Sequence, residues 1–154
     1  MKKFARIIGT GSYLPSKVVT NFDLEKTLDT SDEWIAARTG IKERRIVTDE
    51  NTCDLALEAS LKALSMAELK PDDIDLIILS TTTPDKIFPA TATILQNRLG
   101  AACPAFDLQA VCAGFVFALT TAQQYIENGS AKNILVVGSE TVSYTHLRAH
   151  ETDS

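Results

Sequence analysis

The sequence predicts an α/β layered fold with a largely parallel sheet. Two runs, Asp75–Ser80 and Asn133–Gly138, are almost continuously apolar, which is typical of strands that are buried on both faces. Helical spacing appears between them, most clearly at Leu57, Leu61 and Leu64. Strands and helices therefore alternate along the chain, and this order builds a parallel sheet covered by helices.

The first part of the chain contains one expected strand and two short helices. The apolar run Phe4–Ile8 predicts a strand that ends in a glycine-containing turn. Asn21 is the expected N-cap of the first helix. Asp29–Asp32 then predicts the start of a second helix, which Gly40 ends. Residues 42–47 are charged and are expected to be extended.

The remaining elements complete the alternation. A helix is expected to begin at Asn51 and to end before Pro71. Another runs through Leu99, with Pro89 in its first turn, where proline is favoured. Ala105–Leu108 predicts a short strand, and Cys112 opens a helix that ends near Glu127.

Composition excludes several classes of protein. The 154 residues carry a net charge of −5 and are 45% apolar, which argues against disorder and against nucleic-acid binding. No apolar run approaches the roughly 20 residues that a membrane span needs. The 3 cysteines show no repeated spacing, which argues against a disulfide framework. We therefore expect a soluble, cytoplasmic protein.

Two motifs are weak matches to familiar binding sites. Gly9-Thr10-Gly11 follows a predicted strand, but a dinucleotide loop would have its third glycine where Leu14 stands. We interpret it as a tight turn. His146 and His150 have metal-ligand spacing, yet a zinc protease motif would have glutamate at position 147, which is Leu147. No metal site is expected.

Cys112 is the candidate nucleophile. It stands at a predicted helix start, where free N–H groups and the helix dipole stabilise a thiolate, and Ala113 and Gly114 leave room for a substrate. The alternative is a small buried apolar residue, the usual role of cysteine. That structural role is expected for Cys53 and Cys103.

A possible anion site lies on the second helix. Trp34 and Arg38 are four residues apart and can share one face, where an indole ring and a guanidinium suit an adenine and a phosphate. From the residues alone, a Trp that anchors its helix, with Arg38 covering it, is the favoured interpretation. The basic stretch Lys42–Arg45 fits a solvated strand edge better than a phosphate site.

Three separated segments resemble β-ketoacyl-acyl carrier protein synthase III, a family of the thiolase superfamily that starts bacterial type II fatty-acid synthesis. They are Ile8–Pro15, Thr30–Ile35 together with Arg38–Ile41, and Asp107–Phe115. The segments follow the family's order, and the resemblance covers residues 1 to about 141. It implies a thiolase-like layered αβα half-domain with a mostly parallel sheet.

The resemblance also implies roles for individual residues. Cys112 would take an acyl group, commonly acetyl, from coenzyme A as a thioester, and its backbone N–H would be one oxyanion donor. Malonyl-acyl carrier protein would then lose CO2 and attack that thioester. Thr30, Trp34 and Arg38 would line the coenzyme A site, which reverses the interpretation of Trp34 given above. Phe88 would reach the acyl pocket of the partner subunit in a homodimer. Coenzyme A thioesters are substrates here, so no cofactor is expected.

The family pattern is incomplete in this sequence. The family's condensation step also uses a histidine and an asparagine from the C-terminal half of a longer chain, and no histidine occurs between Met1 and Val142. Residues 143–154 change character and resemble a non-native tail. We therefore expect residues 1–142 to be the N-terminal half of such a synthase, with its C-terminal half missing, unable to condense and prone to association through an uncovered apolar face.

Two other functions remain open. One is a different Claisen condensation on coenzyme A thioesters by a thiolase-superfamily relative that uses the same cysteine. The other is a non-catalytic acyl-CoA-binding fragment in which Cys112 is inert. No nucleic-acid or membrane partner is expected in either case.

Overall fold

A computed structural model describes residues 4–141, which divide into two compact units. The hairpin unit contains residues 14–50 and Thr141, and the sheet unit contains residues 4–13 and 51–140. The hairpin unit has two strands and two helices. They are β1 (Lys17–Thr20), α1 (Asn21–Glu25), α2 (Asp32–Thr39) and β2 (Glu43–Ile46). Strands β1 and β2 pair antiparallel, so the charged residues 43–45 lie in a strand, as predicted.

The caps of the hairpin unit confirm one prediction and correct another. The Ser31 side chain caps α2, and Gly40 ends that helix in the left-handed region at φ 71°, as expected. Asn21 is not the N-cap of α1: the cap is Thr20, whose hydroxyl accepts the Asp23 N–H. Asn21 is instead fully buried, and its side-chain amide donates to the Asp32 carboxylate at 2.7 Å and to the Ile41 carbonyl at 2.8 Å. The local pattern could not show these distant partners.

The sheet unit contains three helices and three strands. They are α3 (Thr52–Ala67), β3 (Leu76–Ser80), α4 (Thr91–Leu99), β4 (Ala105–Leu108), α5 (Gly114–Glu127) and β5 (Ile134–Gly138). The sheet order is β4-β3-β5, and both pairings are parallel. The predicted α/β fold with a parallel sheet is therefore confirmed.

Strand β3 forms the centre of the sheet unit, and each of its residues is buried. Ile77 and Leu79 pack against α3 and α4 on one face, whereas Leu76 and Ile78 pack against α5 on the other. Two helix layers therefore enclose the sheet, as its continuously apolar sequence predicts. Truncating one of these side chains to alanine would cost about 2–5 kcal/mol.

Two sequence predictions about the sheet unit are wrong. No strand forms over residues 4–8. A cavity of about 470 Å³ lies between residues 5–10, α3, α5 and β5, so the segment has no adjacent strand with which to form a ladder. Pro89 is not in the first turn of α4, because that helix begins at Thr91 and Ala90 is its N-cap. Within residues 4–141, no helix combines the length and the apolarity needed to cross a membrane.

Candidate functional site

Cys112 lies at the carboxyl edge of the sheet, in the connection between β4 and α5. Strand β4 ends at Leu108, a single 3-10 turn spans Val111–Ala113, and α5 begins at Gly114. The cysteine is solvent-exposed. Its position is therefore the one that the sequence indicates: the start of a helix, accessible, and not sealed in aliphatic packing.

The turn that presents Cys112 has an unusual backbone. Val111 has φ 49°, in the left-handed region that β-branched residues avoid. The Ala113 N–H donates to the Ala110 carbonyl at 3.1 Å and closes the turn. Backbone strain of this kind persists only where surrounding contacts hold it, and it is concentrated at functional sites.

Contacts with the end of β3 hold this turn in place. The Thr81 N–H donates to the Leu108 carbonyl at 3.2 Å, which joins the chain beyond β3 to the last residue of β4. A Cβ atom at residue 114 would overlap the Ser80 hydroxyl, so Gly114 is required for this close approach. The start of α5 therefore packs directly on Ser80.

The first turn of α5 has no side-chain cap. Its N-cap residue is Ala113, and no side chain accepts a hydrogen bond there. Free N–H groups at the start of a helix stabilise negative charge, whether on a thiolate or on a developing oxyanion. The N–H groups of Ala113 and Gly114 donate within the 3-10 turn, so the donors left for an anion are those that follow them in the first turn. Cys112 lies two residues before this uncapped helix start, so the local chemistry suits a nucleophile.

The other two cysteines lie in different environments. Cys53 is fully buried in the first turn of α3, and burial raises the pKa of its thiol despite a hydrogen bond from Arg98. Cys103 is half-buried, and burial raises the pKa of its thiol as well. Both retain the structural role that the sequence indicates.

A carboxylate near this edge was missed by the sequence analysis. Glu140 follows β5, and its carboxylate accepts the Thr82 N–H at 2.7 Å and the Thr83 hydroxyl at 2.7 Å. The sequence does contain a pattern that could have suggested this contact. A run of threonines follows β3 and an acid follows β5, and the carboxyl ends of parallel strands share one edge of a sheet. What the sequence could not show was that β3 and β5 are neighbours.

The loop that carries Phe88 is anchored to the start of α3 on its N-terminal side and is apolar at its tip. The Thr52 hydroxyl donates to the Thr83 backbone carbonyl, and the Cys53 N–H donates to the Asp85 carboxylate at 3.2 Å. Burial raises the pKa of the Asp85 carboxyl. Phe88 is nevertheless 88% exposed. A fixed loop with an exposed aromatic ring fits a contact with another protein surface.

The hairpin unit brings Trp34 and Arg38 together. The Arg38 guanidinium lies 4.1 Å from the centre of the Trp34 ring, and Trp34 is 53% exposed. The ring therefore does not anchor α2 in a core; Ile35 is the buried residue of that helix. The hydroxyl oxygen of Thr30, the third predicted residue, is sealed from solvent and has no hydrogen-bond partner among the described residues.

Metal ligands do not cluster in residues 4–141: no group of three or more His, Cys, Asp or Glu side chains could hold an ion there. The His146 and His150 pair and the expected tail over residues 143–154 lie outside the described residues. The division into residues 1–142 and a foreign tail stays a prediction.

Comparison with known proteins finds relatives that share one name. The family model for 3-oxoacyl-(acyl-carrier-protein) synthase III matches residues 106–152, which include Cys112. A β-ketoacyl-(acyl-carrier-protein) synthase III from Vesicomyosocius okutanii is 68% identical over 143 residues, which are 93% of this chain and 46% of the relative. The same-named protein of Neisseria gonorrhoeae is 60% identical over 92% of this chain and 45% of its own length.

Solved structures agree with the sequence matches. The crystal structure of 3-oxoacyl-(acyl-carrier-protein) synthase III from Aquifex aeolicus superposes with a TM-score of 0.87 at 52% identity, over 94% of this chain and 46% of the other. The thiolase-like fold that the resemblance implies is therefore confirmed. The chain spans about half the length of the curated relatives that it matches.

Proposed function

We propose that this chain, which belongs to the β-ketoacyl-(acyl-carrier-protein) synthase III family and spans about half the length of its relatives, accepts an acyl group on Cys112. The donor is an acyl-CoA, commonly acetyl-CoA. In the whole protein, the acyl group then condenses with malonyl-acyl carrier protein, which loses CO2. The observation that carries this proposal is the exposed Cys112 at the uncapped start of α5.

The acylation step needs few groups. The Cys112 sulfur, as a thiolate, attacks the thioester carbonyl of acyl-CoA, and a tetrahedral oxyanion forms. The Cys112 backbone N–H is one hydrogen-bond donor to that oxyanion and stabilises the negative charge that develops on its oxygen. When the carbonyl re-forms, the carbon–sulfur bond to coenzyme A breaks, and coenzyme A leaves as a thiolate that takes up a proton from solvent.

The nucleotide end of coenzyme A is assigned to the hairpin unit. Trp34 offers an exposed ring face for the adenine, and Arg38 offers a charged planar group for phosphate. Thr30 would join them only if its sealed hydroxyl becomes accessible on binding. Phe88 is assigned to the contact with a second subunit, on the basis of its exposed position.

Condensation requires groups that residues 4–141 do not supply. That stretch has no histidine, and the resemblance places the histidine and asparagine that stabilise the malonyl-derived enolate elsewhere in a longer chain. The step that residues 4–141 support is therefore the acylation of Cys112. Transfer of the acyl group to malonyl-acyl carrier protein by this chain alone would contradict that division of roles.

Incubation with acetyl-CoA tests the proposal. Digestion and mass spectrometry should find one acetyl group on Cys112, and none after Cys112→Ser. Cys103→Ser is the matched control and should leave the adduct unchanged, because Cys103 is half-buried and precedes β4, whereas the turn follows that strand. Equal labelling of Cys103 and Cys112, or no adduct at all, would contradict nucleophilic catalysis.

A non-catalytic acyl-CoA-binding role is favoured by one separate observation, the exposed Trp34–Arg38 pair. It predicts that coenzyme A quenches the fluorescence of Trp34, the only tryptophan, while acetyl-CoA leaves Cys112 unmodified. The acetyl-CoA experiment separates the two functions, because only the enzyme forms a covalent adduct.

A further inference from the structure

We infer that Glu140 is a positioning residue for Cys112, an inference that rests on the proposed acyl transfer and extends it. Its carboxylate accepts the Thr82 N–H at 2.7 Å, the Thr82 hydroxyl at 3.1 Å and the Thr83 hydroxyl at 2.7 Å. A longer contact of 3.4 Å joins it to the Thr81 hydroxyl. The exposed Glu140 side chain is therefore hydrogen-bonded to three consecutive threonines.

These hydrogen bonds join the carboxyl ends of two strands. Glu140 lies just beyond β5, and the threonines lie just beyond β3. Ser139 strengthens the junction, because its N–H donates to the Ser80 carbonyl at 3.2 Å and its buried hydroxyl donates to the Thr52 carbonyl at 2.8 Å. Charge-assisted hydrogen bonds to a carboxylate are stronger than neutral ones, so Glu140 is the strongest acceptor in this junction.

The junction continues to the turn that presents Cys112. Thr81, which contacts Glu140, donates its N–H to Leu108, the last residue of β4. Ser80, the residue before it, packs against Gly114 at the start of α5. The two contacts lie on either side of the turn at residues 111–113, and both come from the end of β3.

The backbone of the turn explains why these contacts matter. Val111 occupies a left-handed conformation that a β-branched residue does not adopt unless its surroundings impose it. If the end of β3 moves, the turn can relax, and Cys112 loses its fixed position before the N–H groups of α5. Glu140 does not touch the reacting atoms; it acts through Thr81 and Ser80.

The chain offers a matched control at the opposite edge of the same sheet. Asp75 precedes β3, and its carboxylate accepts the N–H groups of Lys132 and Asn133, which precede β5, at 2.8 and 2.9 Å. Asp75 therefore joins the amino ends of β3 and β5 as Glu140 joins their carboxyl ends. Asp75→Asn and Glu140→Gln each remove one negative charge from a junction between β3 and β5. Only the junction that Glu140 forms lies next to the turn that presents Cys112.

The experiment measures Cys112 acetylation by the full 154-residue chain over a range of acetyl-CoA concentrations. Glu140→Gln should lower the maximal rate on the order of tenfold, because small misplacements of a reacting group cost rate. The half-saturating concentration should stay unchanged, because Glu140 is not among the residues proposed to hold coenzyme A. Asp75→Asn should change neither value by more than about twofold.

Cys53 supplies an internal measure of folding, because it is fully buried. Its protection from iodoacetamide should be the same in the wild type and in both variants. A maximal rate equal to the wild type in Glu140→Gln would overturn the inference. So would a fall that is matched by Asp75→Asn or that accompanies exposure of Cys53, because general destabilisation would then explain it.

A second variant tests whether Glu140 acts through its hydrogen bonds to the threonines that follow β3. Thr82→Val removes one hydroxyl donor to Glu140 but keeps the Thr82 N–H, so it should lower the rate less than Glu140→Gln. The double variant should be no slower than Glu140→Gln alone, since the two residues act together. Additive effects of the two substitutions would contradict an action of Glu140 through these hydrogen bonds.

The failure of this inference is distinguishable from the failure of the proposed function. If the wild type forms no acetyl adduct, acyl transfer fails. Iodoacetamide labelling of Cys112 then replaces acetylation, with the same variants and the same expected tenfold difference. If acetylation proceeds and Glu140→Gln leaves it unchanged, only the role of Glu140 fails.

Discussion

Cys53 and Cys112 both lie at the start of a helix, yet the structure gives them opposite environments. Cys53 is in the first turn of α3, fully buried, and its own N–H donates to Asp85. Cys112 lies two residues before the start of α5 and is exposed. The capping also differs. Asn51 and Asp54 form a reciprocal capping box on α3, whereas no side chain caps α5.

The comparison shows that a helix start does not by itself activate a thiol. At α3 the free N–H groups are satisfied by Asn51 and Asp85, and burial raises the pKa of the Cys53 thiol. At α5 the N–H groups have no side-chain acceptor, and water reaches the sulfur. Capping and burial together decide which cysteine is available for chemistry.

The largest expected effect comes from filling the space between α5 and β3. Gly114→Ala places a Cβ atom on the Ser80 hydroxyl and should destabilise the fold by about 1–3 kcal/mol, the usual cost of overpacking. It should also slow Cys112 labelling, since the start of α5 must shift. Urea unfolding and iodoacetamide kinetics measure the two effects.

The matched control for that change is the double variant Ser80→Ala with Gly114→Ala. Removing the hydroxyl relieves the closest overlap, so the double variant should be more stable than Gly114→Ala alone. No relief in the double variant would show that the approach of α5 to Ser80 does not limit the packing.

A smaller effect should follow from adding charge next to Cys112. Ala113→Asp introduces a carboxylate at the N-cap of α5, where it competes for the free N–H groups and repels a thiolate. We expect labelling of Cys112 to slow by about tenfold, or about 1.4 kcal/mol. Ala113→Asn has the same shape without the charge and should slow it much less. Equal rates in the two variants would contradict an electrostatic role for this helix start.

The smallest effect concerns the capped helix. The Asp54 carboxylate accepts the Asn51 N–H and pairs with Arg98 at 2.7 Å, and the hydrogen bond from Asn51 is the main cause that lowers the pKa of Asp54. Asp54→Ala should cost about 1 kcal/mol at pH 7. Asp72→Ala, at an exposed position in a 3-10 turn, is the control and should cost little.

The sign of the pH dependence follows from that lowered pKa. The stability that Asp54 contributes is present above its unfolded pKa, near 3.8, and is lost as the pH falls through its lower folded pKa. Urea unfolding should therefore show a difference between wild type and Asp54→Ala that shrinks in acid. A difference that grows in acid would contradict the hydrogen-bonded assignment.

Local patterns were sufficient for much of the fold and for the exposed position of Cys112 just before a helix. The doubly buried strand β3, the helix start within Asp29–Asp32 and the Gly40 helix end were predicted because each depends on residues close in sequence. The helix predicted to open at Cys112 begins two residues later, at Gly114, after a 3-10 turn. Residues that are neighbours in the sequence determine these features, which is why they could be predicted without knowledge of the sheet order.

Other features depend on partners that are distant in the chain. Glu140 contacts threonines 57–59 residues earlier, and no local pattern joins them. The apolar run at residues 4–8 has strand character, but a strand needs a neighbour to bond, and a cavity lies between it and β5. Pairings of this kind emerge only once the sheet order is known.

The most direct test is competitive labelling of the native chain with limiting iodoacetamide at pH 7, with each cysteine quantified by mass spectrometry. We expect Cys112 to react at least on the order of a hundredfold faster than Cys53, and we expect the difference to disappear in denaturant, where burial and helix structure are lost. Similar rates for Cys112 and Cys53 in the native chain would contradict the assignment of Cys112 as the nucleophile.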